Sequence, residues 1–149
     1  MERPAALFIT LLFSLFMVHN TQGYVVDAVS FDNGVVVQVE VAQTPAQLET
    51  GLMYREGLKD YSGMLFIFES EARHRFWMKN MNFPIDIIWM DSNLDIVDIT
   101  REAAPCSKEP CQIYSPAVSA RYMLEVPAGF SQENGIKIGE RIGFKRKGQ

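Results

Sequence analysis

The chain has 149 residues, 48% of them hydrophobic, with 14 basic and 18 acidic side chains and a formal charge of −4. That length fits one domain with a real core. The mild acidity argues against nucleic acid, which calls for a basic face.

The first segment, MERPAALFITLLFSLFMVHNTQG, sets Arg3 and the free amine against Glu2, then runs apolar from Ala5 to Val18 with breaks at Thr10 and Ser14. At about 1.5 Å per residue a helix over this run spans roughly 21 Å, short of the roughly 30 Å hydrocarbon core. A short apolar run after a basic start, followed by small and polar residues, is the pattern of a secretory signal. Thr21 and Gly23 make Gly23–Tyr24 an acceptable cleavage point, giving a signal peptide over 1–23 and one domain over 24–149. The expected location is periplasmic or extracellular, with no membrane span after signal removal. An uncleaved anchor or a buried helix is the competing reading.

Residues 25–41 alternate around Asp32-Asn33-Gly34, with Val29, Phe31, Val35, Val37, Val39 and Val41 on one side and Gln38 and Glu40 on the other. Asn33-Gly34 between β-branched runs predicts a hairpin with a type I′ turn. Thr44-Pro45-Ala46-Gln47 announces a helix by a capping box with proline in the first turn. Leu48, Leu52 and Met53 form its apolar side, and Gly57 is the expected left-handed stop.

Strands are expected at Met64–Phe68, Arg73–Lys79, Ile85–Met90, Leu94–Ile99, Tyr122–Val126 and Arg141–Phe144. A short helix is expected near Phe130–Asn134, stopped by Gly135. The proline-rich stretch 101–117 reads as a loop. Seven or eight strands with one strong helix predict a mainly β (α+β) fold, a small partly closed sheet or barrel with a helix packed on it.

Cys106 and Cys111 lie in APCSKEPC. In an oxidising compartment such a pair reads as a disulfide, and its tiny loop gives about 2 kcal/mol by chain entropy. A redox-active pair is the alternative, but the spacing is Cys-x4-Cys rather than Cys-x-x-Cys and no helix start is evident.

The segments GLMYREGLKDYSGMLFIF, FWMKNMNFPIDIIWMD and YMLEVPAGFSQENGIKIGERI resemble the bacterial and archaeal family known as domain of unknown function 192. The resemblance covers roughly residues 25–144, and the APC…PC…Y loop is similar to a variant common there. It implies a compact, mainly β fold and frequent export, with no established activity. Members commonly carry Thr where this chain has Met81, so a hydroxyl-based role does not carry over to that position.

The clearest polar constellation surrounds FWMKNMNFPID. Arg73, Arg75, Trp77 and Lys79 share one strand face, with Phe76, Met78 and Asn80 on the other. Pro84 restricts Phe83 to an extended backbone and delivers Asp86 at the head of an apolar strand. An acid embedded in IDIIWM is either paired or functional, because an unpaired buried carboxylate is very costly. Lys79, Asn80 and Arg55 are its expected partners, and Glu125 in MLEV is a second embedded acid.

Three readings follow. Asp86 and Glu125 are fixed ions in pairs or on backbone amides. Alternatively, Arg55, Lys79, Asn80, Asp86 and Glu125 bind a small polar ligand such as a sugar, or a cell-envelope component, beside Trp77 or Trp89. Thirdly, Asp86 and Glu125 act as a hydrolytic carboxylate pair, about 5 to 9.5 Å apart in a glycosidase. An interaction module with an exposed apolar patch stands as a fourth possibility. After residue 23 only His74 remains as an imidazole, and no phosphate loop, dinucleotide fingerprint or Gly-x-Ser-x-Gly occurs, so neither cofactor nor metal is expected. The scattered methionines read as core filling rather than copper ligands. The expectation is a binding function rather than catalysis.

Overall fold

The structure is a computed structural model that describes residues 26–146. The expected export signal, 1–23, lies outside the described residues. Nine strands and two short helices follow in the order β1 (Ala28–Phe31), β2 (Val36–Ala42), α1 (Pro45–Thr50), β3 (Ser62–Ala72), β4 (Phe76–Trp77), β5 (Ile85–Met90), β6 (Ile96–Ala103), β7 (Ile113–Tyr114), β8 (Ala120–Pro127), α2 (Phe130–Glu133) and β9 (Ile142–Lys145). The expected mainly β fold is what forms.

Seven strands make one sheet in the order β6-β5-β8-β3-β2-β1-β9, and β4 pairs with β7 in a separate ribbon. The β2–β3 pair is parallel, with α1 in the crossover, and the other ladders are antiparallel. The sheet curls into a half-barrel whose edges meet at one end. There Ile96 N donates to Glu140 O at 2.8 Å and Ile142 N to Leu94 O at 3.0 Å. An Arg141–Asp95 fork at 2.8 and 3.1 Å joins the same two edges. Closing the edges leaves fewer unpaired backbone groups for another chain to pair with.

The concave face buries Val29, Phe31, Val37, Leu65, Ile67, Ile88, Met90, Leu124 and Val126, capped by Phe130 and Ile136. The opposite face buries Phe66, Phe68, Ile85, Ile87, Trp89 and Met123 under Leu52 and Met78. Both faces of the central strands are therefore apolar, which is why IDIIWM reads as a continuous hydrophobic run rather than an alternating one.

The hairpin forms, but its turn differs from the expected type I′. Gly34 N donates to Phe31 O at 3.0 Å, and Phe31 N to Val35 O at 2.9 Å. Gly34 has φ +88°, whereas Asn33 is not in the left-handed region. This is a three-residue loop closed by a left-handed glycine, the next most common hairpin solution. The capping box of α1 is present, with Thr44 Oγ1 accepting from Gln47 N at 3.4 Å and Gln47 Oε1 from Thr44 N at 3.1 Å. The helix ends at Gly51, φ +46°, rather than at the expected Gly57. A Cβ on Gly51 would stand 2.9 Å from the Phe66 ring, so a close tertiary approach sets the stop.

The expected strand over 73–79 shrinks to Phe76–Trp77, because its partner β7 is only two residues long. Its alternation holds only as far as Met78: Arg73, Arg75 and Trp77 are exposed and Met78 is buried, whereas Asn80, expected on the core-like face, is exposed. Cys106 and Cys111 form a disulfide, and Cys106 N donates to Met78 O at 3.0 Å, tying the proline-rich loop to the end of β4.

Candidate functional site

Asp86 leaves β5 on the concave face and is fully buried. Its Oδ1 accepts from Glu102 N at 2.8 Å and Gly129 N at 3.1 Å. Its Oδ2 accepts from Ser131 N at 2.9 Å and Ser131 Oγ at 2.6 Å. Three amides and a hydroxyl satisfy the carboxylate without a cation, as buried polar groups require. The strand pairing explains the geometry. Ile85 opposes Ala103 and Ile87 opposes Thr100, so Arg101 and Glu102 bulge opposite Asp86 and turn an amide toward it.

The expected partners of Asp86 are engaged elsewhere. Lys79 Nζ pairs with Glu109 at 2.5 Å and lies 5.3 Å from the centre of the Trp77 ring. Arg55 forms a fork on Glu40 at 2.5 and 2.8 Å, which holds that carboxyl below its usual range. Asn80 Nδ2 donates to Tyr54 Oη at 2.9 Å, while Tyr54 N donates to Asn80 O at 2.9 Å. Trp89 is fully buried, packed edge-on against Phe76, so it offers no platform to a ligand. The expected cluster of Arg55, Lys79, Asn80 and Asp86 therefore does not assemble.

Glu125 has a different setting. In the β5–β8 ladder Ile87 opposes Glu125 and Asp86 opposes Val126. Paired residues share a face and consecutive ones alternate, so Glu125 projects from the outer face, opposite to Asp86. A hydrolytic pair across one bond cannot form from two carboxylates separated by the sheet. Glu125 is 6% exposed, and its Oε2 has no hydrogen-bond partner. Burial pushes its carboxyl up to about 8, although the Arg55 guanidinium pulls the other way.

Glu125 lines a cavity of about 280 Å³, just below the usual range for ligand sites. Leu48, Gly51 and Met53 form the α1 side, Phe66 and Phe68 come from β3, and Phe76, Trp77 and Met81 close the far side. Glu49 and Arg75 also line it. The rings interlock edge to face, Phe66–Phe76 at 5.3 Å and Phe68–Phe76 at 5.9 Å between centroids, which fixes the walls. Trp77 is 46% exposed. A larger groove of about 530 Å³ runs along Gln38, Glu40, Ser62 and Lys145, but it has no buried polar group without a partner.

The two loops that carry Met53 and Met81 are stapled together. Besides the Tyr54–Asn80 bonds, Asn82 Nδ2 donates to Arg55 O at 2.9 Å. Asn80 has φ +58°, a conformation that Asn tolerates, whereas Tyr54 at φ +66° carries strain of about 1 to 2 kcal/mol. Asn80 thus shapes one wall of the cavity through the backbone of its neighbours. Of the residues expected at a site, Trp77 and Glu125 meet here, with Arg55 acting on Glu125 at longer range. Leu48, Phe66, Phe68, Phe76 and Met81 escape sequence reading because each looks like ordinary core.

Among the described residues no group of three or more His, Cys, Asp or Glu side chains could hold a metal ion, and no helix is long and apolar enough to cross a membrane. The class these features define is a curled, mainly β domain with a small aromatic-lined cavity on the outer face of its sheet. Comparison with known proteins then places it. The pattern of the DUF192 family, described as an uncharacterised ACR, matches residues 28–144, and the chain belongs to that family. A UPF0127 protein of Pyrococcus horikoshii is 31% identical over 110 residues, spanning 70% of this chain and 85% of its own length. One from Pyrococcus furiosus is 27% identical over 115 residues, spanning 74% of this chain and 89% of its own. A solved structure of a protein of unknown function from Novosphingobium aromaticivorans superposes with a TM-score of 0.71 at 30% identity, covering 78% of this chain and 81% of that one. A second solved structure, described as a putative transcription regulator from Sinorhizobium meliloti, superposes with a TM-score of 0.70 at 32% identity, covering 78% of this chain and 90% of that one.

Proposed function

We propose that this protein is an exported binding domain that holds one small, largely apolar molecule in the cavity over Glu125. The carrying observation is the unpartnered Glu125 oxygen inside an aromatic-lined cavity. A buried carboxyl without a partner is destabilising, and protein interiors rarely keep one that serves no purpose. A bound polar head would supply the missing partner, with the Phe and Trp rings burying the remainder of the ligand. Of the expected ligand site this keeps Trp77 and Glu125 and leaves out Lys79 and Asp86. It also changes the ligand class, because a sugar needs polar partners around its whole rim and the walls here are mainly apolar. The disulfide between Cys106 and Cys111 supports an oxidising location, consistent with reading residues 1–23 as an export signal.

A thermal-shift screen of small aromatic and aliphatic molecules, neutral and charged, tests the proposal. A ligand at one hundred times its dissociation constant adds about 2.7 kcal/mol, a shift of several degrees for a domain this size. Met81→Trp, which fills the cavity, should abolish the shift while leaving the protein folded. A screen with no shift, or a shift that survives Met81→Trp, overturns the proposal.

A further inference from the structure

We infer that the cavity selects a cationic amine, with Glu125 as the counter-ion at its floor and the rings of Phe66, Phe68, Phe76 and Trp77 as its walls. This rests on the ligand-binding reading above and names the ligand's head group. Two independent features point to it. The buried carboxyl lacks a partner on Oε2, and the walls beside it present aromatic rings, whose negative faces attract a cation, most strongly when it is desolvated. A neutral apolar molecule would use the rings but leave the carboxyl unanswered. An anion would meet the negative faces of the rings.

The charged groups around the floor do not substitute for such a ligand. Arg55, in the loop after α1, is the cation that acts on Glu125, but both arms of its guanidinium are engaged by Glu40 of β2. Glu49 of α1 and Arg75, just before β4, line the cavity with opposite charges. His74 stacks on Phe68 at 3.7 Å between centroids and bonds Ser70 O at 3.1 Å. The residues that oppose Glu125 across the sheet are Met64 of β3 and Ile87 of β5, which carry no charge.

The proton balance gives the inference a signature. With its carboxyl at about 8, Glu125 is protonated in the empty cavity at neutral pH. A primary amine enters as its ammonium ion, Glu125 gives its proton to solvent, and an ion pair remains. Binding therefore releases one proton, and affinity rises about tenfold per pH unit below 8 before levelling. An alkylamine stays charged across this range, as lysine does.

Titration calorimetry with benzylamine and its neutral counterpart benzyl alcohol, at pH 6, 7 and 8, tests this on the wild type and on Glu125→Gln. The expected result in the wild type is benzylamine binding that tightens as pH rises, about tenfold from pH 6 to 7 and about fivefold from 7 to 8, with proton release. Glu125→Gln should lose benzylamine affinity by at least about tenfold, the loss of a charge-assisted contact, and keep benzyl alcohol. The wild-type pH slope stands even if the variant folds poorly. Benzyl alcohol binding without benzylamine, or benzylamine affinity independent of pH, overturns the amine while leaving the cavity's binding role intact. Binding of neither probe at any pH overturns both.

Discussion

Asp86 and Glu125 lie on adjacent paired strands, yet they project to opposite faces of the sheet. Asp86 opposes Val126 and Glu125 opposes Ile87, so the pairing places the two acids one residue out of phase. One residue of offset separates a carboxylate held by three amides and a hydroxyl from one whose Oε2 has no partner. The first ties the bulge of β6 and the start of α2 to β5. The second is available to a ligand.

Asp86→Asn should destabilise the protein by about 3 kcal/mol. The new amide NH₂ would face donors, whichever way the side chain turned. Ser131→Ala removes one of the four bonds and should cost about 1 kcal/mol. Urea unfolding checks both, as a lower midpoint with an unchanged slope. A loss below about 0.5 kcal/mol for Asp86→Asn would remove Asp86 from its structural role.

Glu125 makes stability depend on pH in the direction opposite to a paired acid. Its folded value of about 8 lies above the ordinary 4.5. The folded state thus holds a proton that the unfolded chain releases, and the unfolded chain binds fewer protons between those values. The stabilisation is fully present below about 4.5 and is lost as pH rises through about 8. The slope reaches about 1.4 kcal/mol per pH unit. Glu125→Gln should remove this dependence, so unfolding of both proteins between pH 5 and 8 should show curves that converge at low pH. Parallel curves would mean that Glu125 is ionised in the folded protein.

Gly63→Ala should cost about 3 kcal/mol, because an added Cβ overpacks a site that cannot relax cheaply. That atom would stand 2.3 Å from the Glu125 backbone oxygen and 3.2 Å from Val126 Cγ1. The β3–β8 ladder would have to open, and Glu125 would move with it. Gly57→Ala is the control, since its Cβ meets nothing within 4 Å and should change stability by less than about 0.5 kcal/mol. Thermal unfolding separates the two variants directly.

The parts of this molecule legible in its sequence are those that local chemistry decides. The Thr44–Gln47 box, the hairpin at Asn33-Gly34 and the buried run Ile85–Met90 each carry their signal within a few residues. The misplaced features are tertiary. The stop of α1 at Gly51 depends on the Phe66 ring, which arrives from another strand. The partners of Asp86 at Gly129 and Ser131 lie 43 and 45 residues away, and backbone amides leave no mark in sequence. Charge alone makes Arg55 and Lys79 sensible partners for Asp86, but Glu40 and Glu109 hold them instead. Glu125 was visible as an embedded acid. Its separation from Asp86 was not, because it depends on strand register.

The measurement that bears most directly on a ligand cavity built around Glu125 is a ¹³C NMR titration of its side-chain carboxyl, in wild type and in Arg55→Ala. The expected midpoint is near 8 in the wild type, and higher once the Arg55 charge that favours the carboxylate is gone. Added benzylamine should lower the wild-type midpoint by stabilising the ionised form. A midpoint near 4.5, unmoved by the amine, would contradict the account.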